Sequence, residues 1–232
     1  MSRIVGLLNR YHPMERAAWL LAAACLVLTV VSAGRPVFTN ASRPVRGIAV
    51  PVFALQTIRG IEELDAILSD APSPDREVMR VKQFVDFVLI AAYGALFAVM
   101  AAALARVRRV AFAILVLAWA AALFDILENA SILKIVDTGL QAVQPAMLDR
   151  LRVLSAWKSV LQAAGILACS VFFCLSPGGR ARLAGLVGIA AAGLIAAALF
   201  HHPLLPWAGP ALAAALCGYA VTLKFPPHES SS

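Results

Sequence analysis

Charge is scarce in this chain: only 14% of its 232 residues are Asp, Glu, Lys or Arg, whereas 61% are hydrophobic. With a mean hydropathy of +0.83, it has too little polar surface to coat a soluble globule, so it is read as an integral membrane protein. Cysteine is also sparse. Cys25, Cys169, Cys174 and Cys217 lie inside apolar runs, with no C-x-x-C pair among them. They read as small core residues and carry no information about redox compartment. No G-x-S-x-G, no H-E-x-x-H and no Cys beside a His is present, so no nucleophilic signature announces a reaction. No internal repeat and no pair of broken helices is visible, which fits poorly with the commonest carrier designs. The net charge of +7 comes largely from arginines that flank apolar segments. The patch Arg106-Val107-Arg108-Arg109 is too short to hold nucleic acid and reads as a topology determinant that contacts anionic lipid.

What the chain has instead is long apolar runs. A helix of about 17 to 25 apolar residues crosses roughly 30 Å of hydrocarbon. Six segments qualify: Ala17–Ala33, Phe84–Ala105, Val110–Leu133, Leu154–Leu175, Leu183–Phe200 and Pro206–Leu223. The expected fold is an all-α polytopic transmembrane bundle forming a single membrane domain over 1–232. The first run follows Arg3, Arg10 and Arg16 and ends in Ser32-Ala33-Gly34, as a signal peptide would, but it is longer than a usual h-region and reads as a retained helix. In the last run, Pro203, Pro206 and Pro210 are expected to bend or shorten the helix. Gly185, Gly188, Gly193 and Gly218 would let helix backbones approach closely. Asn40-Ala41-Ser42 matches a glycosylation acceptor, a pattern too short to carry weight.

Arginine density favours an inside N-terminus. The two short connections after the second and fourth runs hold five arginines, counting Arg106, Arg108, Arg109, Arg180 and Arg182, and juxtamembrane charge in short loops weighs most. This predicts a multi-pass protein of a bacterial inner membrane with both termini cytoplasmic. The stretch 34–83 is then extracytoplasmic. Pro36, Pro44 and Pro51 break its first half. Its second half forms an amphipathic helix, with Ile58, Ile61, Leu64 and Leu68 on one face and Arg59, Glu62, Glu63 and Asp70 on the other. That helix lies on the membrane or caps the bundle, and Ser73 or Asp75 caps the helix that follows. A second outer connection spans 134–153, with Gly139 and Pro145.

Within the apolar runs sit Asp86, Tyr93, Asp125, Glu128, Asn129 and Lys158, residues that are costly in lipid and mark sites. Helical spacing puts Asp125, Glu128 and Asn129 on one face, Asp86 and Tyr93 on another, and Lys158 with Gln162 on a third. The inside N-terminus brings all three faces to one depth, where pairing and hydrogen bonding would lower the cost of burying charge. Three carboxylates against one lysine predict a raised carboxyl pKa, a bound cation or a cationic ligand group. The alternatives are a packing staple for the acidic trio, snorkelling for Lys158, and ordinary interfacial roles for Tyr93 and Trp157. His201 and His202 fall on the same side, but adjacent histidines point about 100° apart on a helix, so a metal is not expected.

The succession Phe53 with Leu55, Asp86-Phe87 with Tyr93, Asp125-x-x-Glu128-Asn129 and Lys158 resembles an uncharacterised family of small polytopic bacterial membrane proteins. The resemblance covers about the first 175 residues, and the Asp-x-x-Glu-Asn motif is its most specific element. It supports the choice of site residues and transfers no reaction. It also implies an acidic, glycine-containing motif near Phe53, where this chain reads Phe53-Ala54-Leu55-Gln56. The leading expectation is a pocket binding a lipid headgroup, small amphiphile or cation, with membrane lipids as partners and no cofactor. The alternatives are a lipid-modifying or hydrolytic enzyme with Glu128 or Asp125 as base, and an accessory subunit of a membrane complex.

Overall fold

A computed structural model describes residues 13–40 and 43–223. Arg3, Arg10, Lys224 and the Ala41-Ser42 part of the acceptor triplet lie outside the described residues. Eight α-helices follow in order: α1 Pro13–Ala33, α2 Pro51–Leu55, α3 Ile61–Leu68, α4 Pro74–Ala103, α5 Arg108–Asp137, α6 Pro145–Leu175, α7 Gly179–Phe200 and α8 Leu205–Thr222. Six of them, the last extended by the short turn from His202, are long and apolar enough to cross a membrane. The chain is therefore a multi-pass, all-α membrane protein.

The six long helices close into a ring in sequence order: α1 packs on α4, α4 on α5, α5 on α6, α6 on α7, α7 on α8, and α8 returns to α1. The closing seam is fastened by the Trp19 indole, whose N–H donates to the Ala220 carbonyl at 2.8 Å. Away from the long loop, small side chains fill the ring around Tyr219, which is fully buried and stacked on Phe173 at 4.9 Å. The Tyr219 hydroxyl meets Ser170 Oγ at 2.6 Å and donates to the Ile166 carbonyl at 3.1 Å. Gly188 makes room for that ring: a Cβ there would lie 1.8 Å from the Tyr219 hydroxyl. Gly185 likewise abuts the α6 backbone, whereas Gly193 faces nothing within 4 Å and plays no part in close approach.

Helices α4, α5 and α6 run 30, 30 and 31 residues. At about 1.5 Å per residue they reach roughly 45 Å, well beyond the hydrocarbon thickness. Their extra turns at one end, together with residues 34–73, build a separate cap with its own apolar core. That core joins Phe38, Ile48, Leu55, Ile58, Leu64 and Leu68 to Met79, Ile132, Ile135 and Leu151.

These extra turns correct both ends of the second connection, while the start of α4 falls at the Ser73 cap expected from the sequence. The second long helix starts at Pro74, ten residues before Phe84, so the connection 34–83 shrinks to 34–73. The second connection, expected over 134–153, shrinks to 138–144, because the helices extend to Asp137 and begin again at Pro145. Pro51, Pro74 and Pro145 each occupy a first helical turn, where a missing N–H costs nothing. Pro210 sits inside α8 without ending it.

Ser73 caps α4, accepting from the Asp75 N–H at 3.2 Å. Asp75 instead accepts from the Thr39 N–H and hydroxyl at 2.6 and 2.7 Å, tying the loop down. Helix α3 caps the bundle through Leu64, Ile67 and Leu68, and Ile61, expected on its apolar face, is exposed. Buried Arg76 stitches the cap together, donating to the carbonyls of Ser69, Val136 and Thr138 at 2.9, 2.7 and 2.7 Å. In the connecting loops, Asp70 accepts from the Leu140 and Ala71 amides, which hold its carboxyl below the usual range.

A polar chamber beneath the cap as candidate functional site

The polar patterning of α5 sets the geometry of the site: Asp125, Glu128 and Asn129 share one face within little more than a turn, and all three are buried inside the ring. Facing them from α6, the Lys158 ammonium sits 2.6 Å from Glu128 Oε2 and 3.2 Å from Asp125 Oδ1. From α4, the Tyr93 hydroxyl donates to Asp125 Oδ2 at 3.0 Å. About two turns nearer the cap on the same face of α4, Asp86 Oδ2 accepts from Asn129 Nδ2 at 2.7 Å. All six residues singled out in the sequence therefore meet in one cluster.

Two readings of single residues change. Lys158 does not snorkel outward: it points into the ring, where a charge bridging two carboxylates is far cheaper than an unpaired one. Tyr93 is buried with its hydroxyl committed, so it is no interfacial aromatic. Trp157 is exposed, packing beside Phe124 on the lipid-facing side.

A residue the sequence did not single out closes the network. Gln56, at the C-terminal end of α2, donates from Nε2 to Glu128 Oε1 at 2.6 Å. Its neighbours Ala54, Leu55 and Ile58 are buried in the cap core, which fixes α2 and aims Gln56 down into the ring. The stretch Phe53-Ala54-Leu55-Gln56 thus supplies a neutral donor to a buried carboxylate. An acidic residue at position 56 would set like charges against each other there.

Around this cluster the ring encloses a cavity of about 290 Å³, lined by residues of all six long helices and roofed by Val52, Phe53 and Gln56. A water molecule occupies about 30 Å³ of liquid, so the space suits a small molecule and falls near the lower end of ligand-site volumes, roughly 300 Å³. Its floor is the ionic cluster. Its walls toward α7 and α8 are apolar, including Ile195, Leu205, Leu212 and Leu216. Chemically, the chamber can hold a polar or charged group at one end and hydrocarbon at the other.

The hydrogen-bonding balance inside the chamber is uneven. Lys158 is committed to Asp125 and Glu128, whereas the hydrogen-bond partner of Asp86 among the described residues is the neutral Asn129 amide. Three residues before Asp86 on the same helix, Gln83 is 2% exposed. Its Nε2 contacts Met79 Sδ at 3.5 Å, and its Oε1 meets no donor among the described residues. Lys82, which also lines the chamber, is drawn aside to the carbonyls of Ser32 and Gly34 at 2.6 and 3.0 Å, capping the C-terminus of α1. Spacing alone could have drawn attention to Gln83, since it precedes Asp86 by one helical step on an already chosen face.

His201 and His202 do not reach this cluster. They line a shallow cleft on the cap with Arg46, Arg59 and Glu63. Among the described residues, no group of three or more His, Cys, Asp or Glu side chains is placed to hold a metal ion. Cys25 and Cys169 are buried, and Cys174 and Cys217 are partly buried.

Fold and chamber together define a multi-pass helical membrane protein with a polar cavity inside the ring, beneath an extramembrane cap. No family model, curated protein or solved structure matches the chain. The reading of its function therefore rests on the geometry of the chamber.

Proposed function

We propose that this protein binds a small cationic amphiphile, an amine with a hydrocarbon tail, in the chamber, and that it does so in a bacterial inner membrane with the cap on the extracytoplasmic side. One observation carries the reading: the Asp86 carboxylate lines the cavity with no ion-paired cation among the described residues, and one helical step away the buried Gln83 Oε1 meets no donor among them. Acceptors in a low-dielectric space call for a donor, and a carboxylate calls for a charged one. The apolar wall of α7 and α8 would take the tail. Lys158 is committed to Asp125 and Glu128, leaving Asp86 to recognise the ligand.

The density of five arginines in the connections remote from the cap supports this orientation. Reporter fusions at residue 39 and in the 104–107 connection check it, and a cap-side reporter active in the cytoplasm would reverse it.

The ligand reading is tested with dodecylamine, dodecanol and dodecanoate added to the full-length protein, scored by native mass spectrometry. The amine should bind in preference to the other two. Asp86→Asn should weaken amine binding about tenfold or more, the usual worth of a charged hydrogen bond, while leaving dodecanol unchanged. Equal retention of the three probes, or amine binding indifferent to Asp86→Asn, refutes the reading.

A further inference from the structure

Beside the chamber, and sharing Gln56, Ser159 and Leu205 with it, lies a second cavity of about 170 Å³. Its character is the opposite of the first. Arg59 enters from the loop before α3, Arg152 from α6 and His202 from the turn before α8, so three separate elements bring basic side chains to one space. Arg46 and His201 extend the same basic surface into the adjoining cleft, which Arg59 and His202 also line. The acids at hand are few: Glu63 accepts the Arg59 amide at 2.7 Å and lies 4.0 Å from the Arg46 guanidinium, and Asp149 pairs with Arg152. The Arg59 guanidinium has no hydrogen-bonded partner among the described residues.

An independent feature points to a ligand. Ser155 lines this cavity, is 7% exposed, and its hydroxyl has no hydrogen-bond partner among the described residues. Buried hydroxyls are ordinarily satisfied, because an unmet one costs about 1–3 kcal/mol. A donor hydroxyl amid guanidinium and imidazole donors matches a tetrahedral oxyanion, which offers several acceptor oxygens at once. Depth points the same way. Phe200 is 91% exposed and Trp207 64% exposed on either side of the His202 turn, as aromatic residues at headgroup level are.

We infer that Arg59, Arg152, His202 and Ser155 form a phosphate-binding site beside the chamber, with Gln56 lining both. The site goes beyond the amine reading and does not depend on it: its ligand group is an anion, and its residues are not those that hold Asp86. Its phosphate comes either from a phospholipid headgroup or from a free phosphate in solution.

The test uses the full-length protein in phosphate-free detergent buffer with three probes: dihexanoyl phosphatidic acid, dihexanoylglycerol and inorganic phosphate. Binding of phosphatidic acid without dihexanoylglycerol, weakened tenfold or more by Arg59→Gln and by Arg152→Gln, establishes the site with lipid as the source. Inorganic phosphate bound as tightly as phosphatidic acid, and lost in the same variants, establishes it with free phosphate as the source. Ser155→Ala should weaken either probe by a smaller factor. Both arginines lie at the surface of the cap, and unchanged thermal unfolding of the variants verifies their folding. If neither phosphate probe binds the wild type, or if both arginine variants bind as the wild type does, the inference is wrong. The amine test above is read separately, so failure of one leaves the other standing.

Discussion

Removing the Lys158 ammonium is the sharpest perturbation the chamber offers. In Lys158→Met the stem keeps its packing, but Glu128, 0% exposed, and Asp125 lose the cation that sits 2.6 and 3.2 Å from them. Breaking a buried ion pair by deleting one partner costs about 3–5 kcal/mol in soluble proteins. Contacts within membranes are worth less, often about 1–2 kcal/mol, because the unfolded chain in lipid also finds partners. Lys158 serves two carboxylates, so an expected cost near 3 kcal/mol takes the lower end of the first range. Glu128→Gln alone keeps an acceptor for Gln56 and leaves Lys158 with Asp125, so its cost should be about 1–2 kcal/mol. In the double variant Asp125 is the one of the three paired groups that keeps its charge, and the Tyr93 hydroxyl still donates to it. The double variant should therefore be more stable than the two single costs added together imply, with a coupling of at least about 1 kcal/mol. Reversible unfolding in dodecylmaltoside micelles titrated with SDS measures all four proteins. Additive costs, with coupling inside about 0.3–0.5 kcal/mol, would show that Lys158 does not neutralise Glu128 and would remove the ionic floor from the chamber.

Two structural predictions address the scaffold that holds the chamber open. Gly188→Ala would place a methyl 1.8 Å from the Tyr219 hydroxyl and 2.3 Å from Ser170 Oγ. Overpacking of this kind costs about 1–3 kcal/mol, and Tyr219→Phe in the same chain should recover part of it, whereas Gly193→Ala, with open space around it, should be neutral; the same unfolding titration reads all three. Arg76→Lys replaces a planar five-donor fork by a point charge and cannot reach the carbonyls of Ser69, Val136 and Thr138 together. A loss of about 1–3 kcal/mol is expected, with faster amide exchange confined to the cap and the 138–144 connection; unchanged exchange there would show that Arg76 does not hold the cap.

The cap and the ring have a division of labour that explains the chamber. At the end remote from the cap, alanines pack with Leu96, Met100, Ile114, Phe173 and Tyr219 to fill the core of the ring. At the cap end, polar side chains replace that filling, and their mutual hydrogen bonds keep them from collapsing together. Among the described residues, Gln56 carries the side-chain hydrogen bond from the cap to the ionic floor. The cap core anchors it, so cap stability and chamber geometry are coupled.

Hydrophobicity and helical period were enough to count the spans and to put Asp125, Glu128 and Asn129 on one face, because both depend only on neighbours along the chain. They could not locate the helix ends. Beyond the hydrocarbon, α4, α5 and α6 continue as polar-surfaced helices whose apolar face packs on the cap, and a hydropathy boundary does not see that face. Pro145 misled for a related reason, since it starts a helix in a stretch read as a connection.

The sequence by itself determined the membrane class, the six apolar helices and the faces on which their charged residues lie, since these follow from composition and from a repeat of about 3.6 residues. Only the tertiary structure decided that the six helices close into a ring, that Lys158 turns inward to Glu128 and Asp125 rather than outward to the interface, and that Gln56 from the cap completes the cluster. Those outcomes depend on which helices become neighbours. For a lysine or a glutamine in an apolar setting, the partner across the bundle, not its place in the chain, sets the direction in which burial is affordable.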